Sequence, residues 1–404
     1  MRPDPDRKAT PDQPVPAHLV GARTGRHHPA QETCMPNTKP PIAVFASFSG
    51  AGGVERMLVN LIRGVLDLGQ PVDLVLMRAS GPHLARLPAE VNRIELGTRH
   101  SALAAPPLAR YLRRRRPAAL LAAKDRAGRA AVLARALAGT QTRLVMRLGT
   151  HLSAAMAERS GAERWLRYTP IRLLYPRIDH IVAVSEGVAQ DTARIARLPS
   201  ARISVIRNPV ITPELNRLAA EPCPHPWLAP GEPPVILGAG RLQRQKDFPT
   251  LLRAFARLPR AAGYRLGILG EGGGRSKLET MISELGLSDR VALLGFQDNP
   301  YAYLARARLF VLSSAWEGSP NVLTEAMALG VPVVSTDCPS GPFELLDGGR
   351  YGPLVPVGDV DALADAMQRT LEHPLPPDAL RCAVCEYTQE RSAERYLEVL
   401  GVSR

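Results

Sequence analysis

Short apolar runs alternate with helical patterns along nearly the whole chain, and most runs end in small or polar residues before the next helix begins. Runs of this length, bounded by turn residues, predict buried strands at 42–47, 71–77, 92–96, 118–122, 142–148, 179–184 and 203–206. Helical periodicity follows the first run to about Leu68, then recurs at 105–116, 126–138, 152–175 and 186–197. A second series gives strands at 234–238, 264–269, 290–294, 308–312 and 331–335, with helices at 247–258, 321–329, 359–372 and 387–400. Repeated β-then-α order demands crossover connections, so the strands run parallel and the sheet is covered on both faces. The fold class is therefore α/β, with two Rossmann-like domains. A length of 404 residues lets each bury its own core. Their limits are 39–210 and 233–385, joined by a linker at 211–232 where Pro213, Pro222, Pro224, Pro226 and Pro230 argue against a continuing element.

Residues 1–38 are rich in Pro, Arg, Asp and Gln, lack apolar periodicity, and are expected to be a disordered extension; Met35 is an alternative start. No apolar run approaches the ~18–20 residues of a membrane span, and no secretory signal is evident, which predicts a cytoplasmic protein. Five cysteines make an odd set for disulfides. Cys382 and Cys385 form a lone C-x-x-C without the further ligands that zinc needs.

Charge is unevenly placed. Between Arg99 and Arg177 there are 17 Lys and Arg against Asp125, Glu158 and Glu163, a local surplus of 14, while the whole chain carries +13. Such a face suits an anionic membrane surface or plain solvation. Nucleic acid is disfavoured, because aromatic interleaving is sparse and no nucleic-acid motif appears.

Two stretches carry chemistry. Ser313 to Glu325 reads Ser-Ser-Ala-Trp-Glu-Gly-Ser-Pro-Asn-Val-Leu-Thr-Glu. It follows a strand and opens a helix, with Ser319 as N-cap and Pro320 at the first helical position. Free N–H groups and the positive end of the helix dipole make a phosphate site there. Glu317 and Glu325 stand eight apart and suit sugar hydroxyls, although acidic residues also simply favour a helix start. The second stretch follows the strand that ends at Gly238-Ala239-Gly240, where glycine lets backbone approach a ligand. Arg241 and Lys246 then bring two cations to the next helix start, where cations are unfavourable unless an anion is bound.

Together these residues resemble the group 1 glycosyltransferases, retaining enzymes of the GT-B fold. The shared stretches are Gly-Arg-Leu-x3-Lys-Asp at 240–247, Leu-Gly-Glu-Gly at 269–272, Gly-Phe at 295–296, Glu317 with Glu325, and Gly-Val-Pro-Val-Val-Ser-Thr-Asp at 330–337. The resemblance is dense over 233–372 and looser over 42–210. It implies an interdomain cleft, and a last segment, 386–404, whose helix crosses back onto the first domain. It implies that Arg241 and Lys246 stabilise the leaving diphosphate, that Glu325 binds ribose, and that Glu317 contacts the donor sugar near the reacting carbon. Gly240, Glu271, Gly272, Phe296, Gly318, Ser319 and the N–H groups of Asn321, Val322 and Leu323 would complete the donor site. In the family's proposed front-face mechanism the leaving phosphate itself deprotonates the acceptor.

On the acceptor side, Ser49-Gly50-Ala51-Gly52-Gly53-Val54-Glu55-Arg56 looks like a dinucleotide loop but places Glu55 where the third glycine belongs. Asp73, at a distance suiting a ribose partner, falls in a strand. Relatives carry a similar loop against the donor diphosphate, which gives that part to Gly52 and Gly53. Where relatives often have a histidine, this chain has Gly149, with His151 two residues on, so His151 is either a catalytic group or a cap. Arg147 is a comparable choice, Lys124 and Arg126 could face the acceptor, and Glu344 is expected to be structural.

No Asp-x-Asp stands in a strand-end loop, so no metal and no further cofactor is expected beyond the nucleotide-sugar co-substrate. The expected partners are that donor, with a uracil base favoured by family frequency, and a glycan or lipid-linked acceptor in surface or exopolysaccharide synthesis. The site of action is cytoplasmic or peripheral at the inner face of a membrane. The competing readings are a basic, membrane-associated protein on a decayed transferase fold, and a phosphorylase or nucleotide-sugar epimerase.

Overall fold

The computed structural model describes residues 39–49, 53–98 and 101–402. The extension 1–38 and the glycine-loop residue Gly52 lie outside the described residues.

The described residues form two parallel sheets. The first holds β1 Ile42–Ser49, β2 Val72–Ser80, β3 Asn92–Glu95, β4 Ala119–Ala123, β5 Arg143–Leu148, β6 His180–Ala183 and β7 Ile203–Val205, in the order β3-β2-β1-β4-β5-β6-β7. The second holds β8 Val235–Ala239, β9 Arg265–Leu269, β10 Val291–Gly295, β11 Leu309–Leu312, β12 Val333–Thr336 and β13 Leu354–Val355, in the order β10-β9-β8-β11-β12-β13. Strand order reverses direction between β1 and β4 and again between β8 and β11. At such switch points the flanking loops part and leave a crevice at the carboxyl ends of the strands.

Alternate side chains along β1 enter two different cores. Ile42, Val44, Ala46 and Phe48 pack under the helix Gly53–Asp67 and the C-terminal helix Gln389–Leu400. Ala43 and Phe45 pack under Ala105–Arg115, Asp125–Ala138 and Gly161–Leu174. The second sheet is covered in the same way: Val235, Leu237 and Ala239 of β8 face one core, and Ile236 faces the other. The last helix thus belongs to the first domain's core, through Ala393, Tyr396, Leu397 and Leu400. Two crossing segments run side by side, because Ile211 N–H donates to Tyr387 O and Gln389 N–H to Ile211 O, each at 2.9 Å.

Three expectations change. The linker 211–232 is not bare: it forms the helix Glu214–Ala220, and Leu215, Ala219 and Leu228 are buried in the second domain's core. Its prolines sit at the ends of this helix, leaving a seven-residue window free to coil. The helix predicted at 152–175 is two, Leu152–Ala155 and Gly161–Leu174. Ser160 restarts it with a capping box, accepting from Glu163 N–H while the Glu163 carboxylate accepts from Ser160 N–H. The helix expected from Ser319 begins at Asn321, with Pro320 in the cap position and no side-chain cap. No described helix is long and apolar enough to cross a membrane. Cys382 and Cys385 are free and exposed.

Candidate functional site

The loops after β8, β9 and β11 fit together by backbone contact. A Cβ on Gly270 would lie 2.0 Å from Gly240 O, and one on Gly272 would lie 2.7 Å from Leu242 O. Gly240 adopts φ 152°, and a Cβ there would sit 2.7 Å from Lys246 Cε, so the lysine stem lies along the glycine. The β8 and β11 loops are joined by three hydrogen bonds: Ala315 N–H to Gln245 O at 2.8 Å, Gln245 Nε2 to Trp316 O at 2.9 Å, and Ser313 Oγ to Lys246 O at 2.8 Å.

This framework brings the two predicted halves into contact. Lys246 Nζ donates to Glu317 Oε1 at 2.6 Å, and Ser314 Oγ donates to the same oxygen at 2.7 Å. Glu317 is buried, while Arg241 is exposed and makes no ion pair among the described residues. Glu271 pairs with Arg275 at 2.7 Å, and Phe296 is exposed. At the helix start, Leu323 and Thr324 N–H donate to Pro320 O at 3.0 and 3.2 Å. Leu323 N–H is therefore already engaged, and the N–H groups of Asn321 and Val322 are those that precede the helix's own bonds.

Glu325 is only 2% exposed and receives the guanidinium of Arg56 from the first domain. The guanidinium also lies over the Tyr301 ring, 5.5 Å from its centroid. Burial opposes the charge of Arg56, but Glu325 more than offsets this and raises its pKa above the ordinary value. Glu325 Oε2 is buried with no hydrogen-bond partner among the described residues.

A chain of amides links the two domains across the cleft. Arg147 Nη2 donates to Asn208 Oδ1 at 2.9 Å, Asn208 Nδ2 to Asn321 Oδ1 at 2.7 Å, and Asn321 Nδ2 to Gly53 O at 3.4 Å. Gly53 opens its helix here. Arg147 is not in the cleft but beneath it, almost fully buried, with its pKa lowered by burial. A Cβ on Gly149 would meet the Arg147 guanidinium at 2.5 Å, so that guanidinium fills the space a side chain at 149 would take. On the far side, Gly318 sits so close that its Cβ would lie 2.2 Å from Gly149 O.

His151 caps Leu152–Ala155, its Nδ1 accepting from Ala154 N–H at 3.3 Å and lying 3.5 Å from Asp191 Oδ2. Lys124 holds a left-handed φ of 76° and reaches Glu55 at 3.2 Å; Arg126 is exposed. Glu344 does more than support its own domain. Its carboxylate accepts from the N–H groups of Glu186 and Gly187 at 2.9 and 3.0 Å, at the start of the first domain's helix Glu186–Ala196, and pairs with Arg207 at 2.7 Å. Beside it, Ser185 and Ser340 hydroxyls meet at 2.6 Å. Arg56, Asn208 and Ser340 are site-forming residues that sequence reasoning missed. Only the Asn208-Pro209 break at the end of the first domain offered any local signal.

Two Rossmann-like domains meeting at their strand ends, with a lysine–carboxylate pair at the switch point of one, define the GT-B architecture. The model of glycosyl transferases group 1 matches residues 224–390, and that of glycosyltransferase family 4 matches 51–213. A Campylobacter jejuni protein, N-acetylgalactosamine-N,N'-diacetylbacillosaminyl-diphospho-undecaprenol 4-alpha-N-acetylgalactosaminyltransferase, is 29% identical over 347 residues, covering 82% of this chain and 90% of that protein. The lipopolysaccharide core biosynthesis glycosyltransferase LpsE of Rhizobium meliloti is 35% identical over 177 residues, covering 43% of this chain and 51% of that protein. Among solved structures, Anabaena Alr3699/HepE in complex with UDP and glucose superposes with a TM-score of 0.72 at 20% identity, covering 89% of this chain and 99% of that one. A Rickettsia africae glycosyltransferase gives 0.73 at 16% identity, covering 90% and 98%. The chain belongs to the group 1 glycosyltransferases.

Proposed function

We propose that this chain is a retaining glycosyltransferase that moves a sugar from a nucleoside-diphosphate sugar, a UDP-sugar in the first instance, to a glycan or lipid-linked acceptor. The product would serve surface or exopolysaccharide synthesis, and the enzyme would work in the cytoplasm at the inner face of the membrane. The observation that carries this reading is the Lys246–Glu317 pair at the second sheet's switch point, with the exposed Arg241 in the same β8 loop and the helix that opens at Asn321 following Glu317 in the chain. Charge accumulates on the diphosphate as its bond to the sugar breaks. Fixed cations and helix N–H groups in a cleft stabilise that charge by several kcal/mol. Glu317, its oxygen held by Lys246 and Ser314, is oriented to accept from donor-sugar hydroxyls. Glu325, with one oxygen unpartnered, suits the ribose. The names of the Campylobacter and Rhizobium relatives support the lipid-linked or lipopolysaccharide acceptor, and the UDP and glucose in the Anabaena complex support the donor class.

The test is a thermal-shift screen against UDP, GDP and ADP, with and without magnesium, because a ligand that binds the native state raises its melting temperature. Stabilisation by one nucleotide, followed by transfer from its sugar conjugate with retention at the anomeric carbon, is the expected result. No response to any nucleotide at millimolar concentration would overturn the reading.

A further inference from the structure

A buried charge is normally matched by an opposite one, because taking it out of water is costly. Arg147 breaks that pattern. It lies near the carboxyl end of β5 and is 2% exposed, yet no carboxylate among the described residues pairs with it. Its Nε and Nη1 are buried without a hydrogen-bond partner among the described residues. The group that faces it from the C-terminal helix is the buried phenol of Tyr396, which is neutral at ordinary pH. Arg56 and Arg207, which also serve the domain boundary, each have a carboxylate. A guanidinium held in this state does not serve stability, since an apolar side chain of similar volume in place of a buried charge is often neutral or stabilising.

Its role follows from what a donor-only group imposes on its neighbours. A guanidinium donates and cannot accept. The backbone around Asn208 is already fixed, because Asn60 Nδ2 donates to Pro209 O at 2.9 Å and Val210 N–H to Asn208 O at 2.9 Å. Only the Asn208 amide, itself buried, is left to choose a direction. Arg147 takes its oxygen, so its nitrogen turns to Asn321 Oδ1, and the Asn321 nitrogen turns in sequence to Gly53 O. Without the guanidinium either amide could rotate by half a turn, because amide oxygen and nitrogen fill nearly the same space. The same guanidinium occupies the space under Gly149, whose carbonyl receives Gly318, the residue after Glu317. One buried cation thus supports two of the contacts by which the second domain seats on the first.

We infer that Arg147 is a positioning residue: it sets the direction of the Asn208–Asn321–Gly53 chain and the height of Gly149, so that the cleft closes with Asn321 and Glu317 in place, and what that closure serves rests on the transferase reading.

R147M, R147K and N208A of the full chain test this. R147M should leave the melting temperature unchanged or raised, because an unpaired buried charge is removed. Its affinity for UDP should stay within about threefold of wild type, because the donor groups lie in the second domain. Its radius of gyration in X-ray scattering should increase, with and without UDP. With UDP-glucose as donor and water as acceptor, kcat for UDP release should fall about tenfold or more while KM changes little. R147K should recover only part of this, since one ammonium cannot both hold Asn208 and fill the space under Gly149. N208A should reproduce the loss in kcat, and R147M/N208A should be no slower than the slower single variant, because the two residues act in one chain.

Wild-type kcat and radius in R147M overturn the inference. So does a lowered melting temperature with normal turnover of the folded protein, which would make Arg147 a packing residue, and so do fully additive losses in the double variant. Should R147M fail to fold, N208A carries the same test, and normal turnover there overturns the inference. A wild type that neither binds UDP nor cleaves UDP-glucose would instead strike the transferase reading, and the scattering and melting of nucleotide-free R147M against wild type would still decide the positioning role.

Discussion

Arg56 of the first domain, part-buried, and Glu325 of the second, buried, form an ion pair across the cleft, at the carboxylate that the family resemblance assigns to ribose. One oxygen of Glu325 takes Arg56; the other is buried and unpartnered. A ribose hydroxyl would satisfy that second oxygen, and a hydrogen bond to a charged group contributes about 1.5–3 kcal/mol. Glu325→Ala should therefore weaken UDP binding about 10- to 100-fold by calorimetry. The same change leaves the part-buried Arg56 without its carboxylate, so a urea melt should show a loss of about 1–3 kcal/mol. Full UDP affinity in a destabilised variant would show that Glu325 is a structural partner of Arg56 only.

Lys246 makes the complementary case in the second domain. Its ammonium is fixed between the Gly240 surface and Glu317, so it reaches the strand-end crevice without needing to be ordered on binding. Lys246→Ala should cut UDP affinity by about tenfold or more, and Lys246→Arg should not restore it fully because the space above Gly240 is tight. Retention of wild-type affinity in Lys246→Ala would refute the diphosphate assignment.

Gly318 offers a way to separate binding from closure. Neither Gly318 nor Gly149 has a positive φ, so alanine is tolerated by the local backbone. What it meets is the other domain: Gly149 O at 2.2 Å and Thr150 N at 3.2 Å. Overpacking of this kind costs about 1–3 kcal/mol, charged here against domain contact rather than folding. Gly318→Ala should keep the thermal shift with UDP, increase the radius of gyration in X-ray scattering, and lower transfer rates by about 10- to 100-fold. An unchanged scattering profile with normal turnover would show that the contact at Gly149 does not govern closure.

The sequence disclosed the strands well because parallel strands buried on both faces are continuous apolar runs, and β8, β9 and β11 are of that kind. It missed β13, Leu354–Val355, since two residues carry no pattern. The capping box at Ser160 and Glu163 was present in the letters and overlooked under a longer apolar periodicity. The halves of the candidate site were visible because each is a local motif at a strand end. Arg56, Asn208 and Ser340 were not visible, because their partners depend on how two domains pack. Arg56 and Glu325 are 269 positions apart, and nothing near either residue announces the other. Gly149 is the instructive intermediate: the missing side chain was evident, but not that the Arg147 guanidinium fills its place.

Asp73 carries the clearest dependence on pH. It lies on β2, almost fully buried, and accepts from Tyr111 at 2.8 Å, Asn92 at 2.9 Å and Arg115 at 3.2 Å. Burial pushes its carboxyl up, but hydrogen bonds from Arg115, Asn92 and Tyr111 outweigh that and hold it below the usual carboxylate range. The folded pKa is thus lower than the unfolded value of about 3.9, so the stabilisation is fully present above that value. It is lost as pH falls through the folded pKa. Asp73→Asn keeps the shape and removes the charge, leaving Tyr111 and Arg115 poorly matched. At pH 7 it should destabilise the protein by about 1–3 kcal/mol in urea melts. Below about pH 4 the wild type should begin to converge on the variant as the unfolded chain's carboxyl takes up a proton, and the convergence is complete once pH has passed the folded pKa. A stability difference that stayed constant down to pH 2 would mean that the ionised carboxylate contributes nothing, and that only the shape of this side chain matters to the sheet edge it holds.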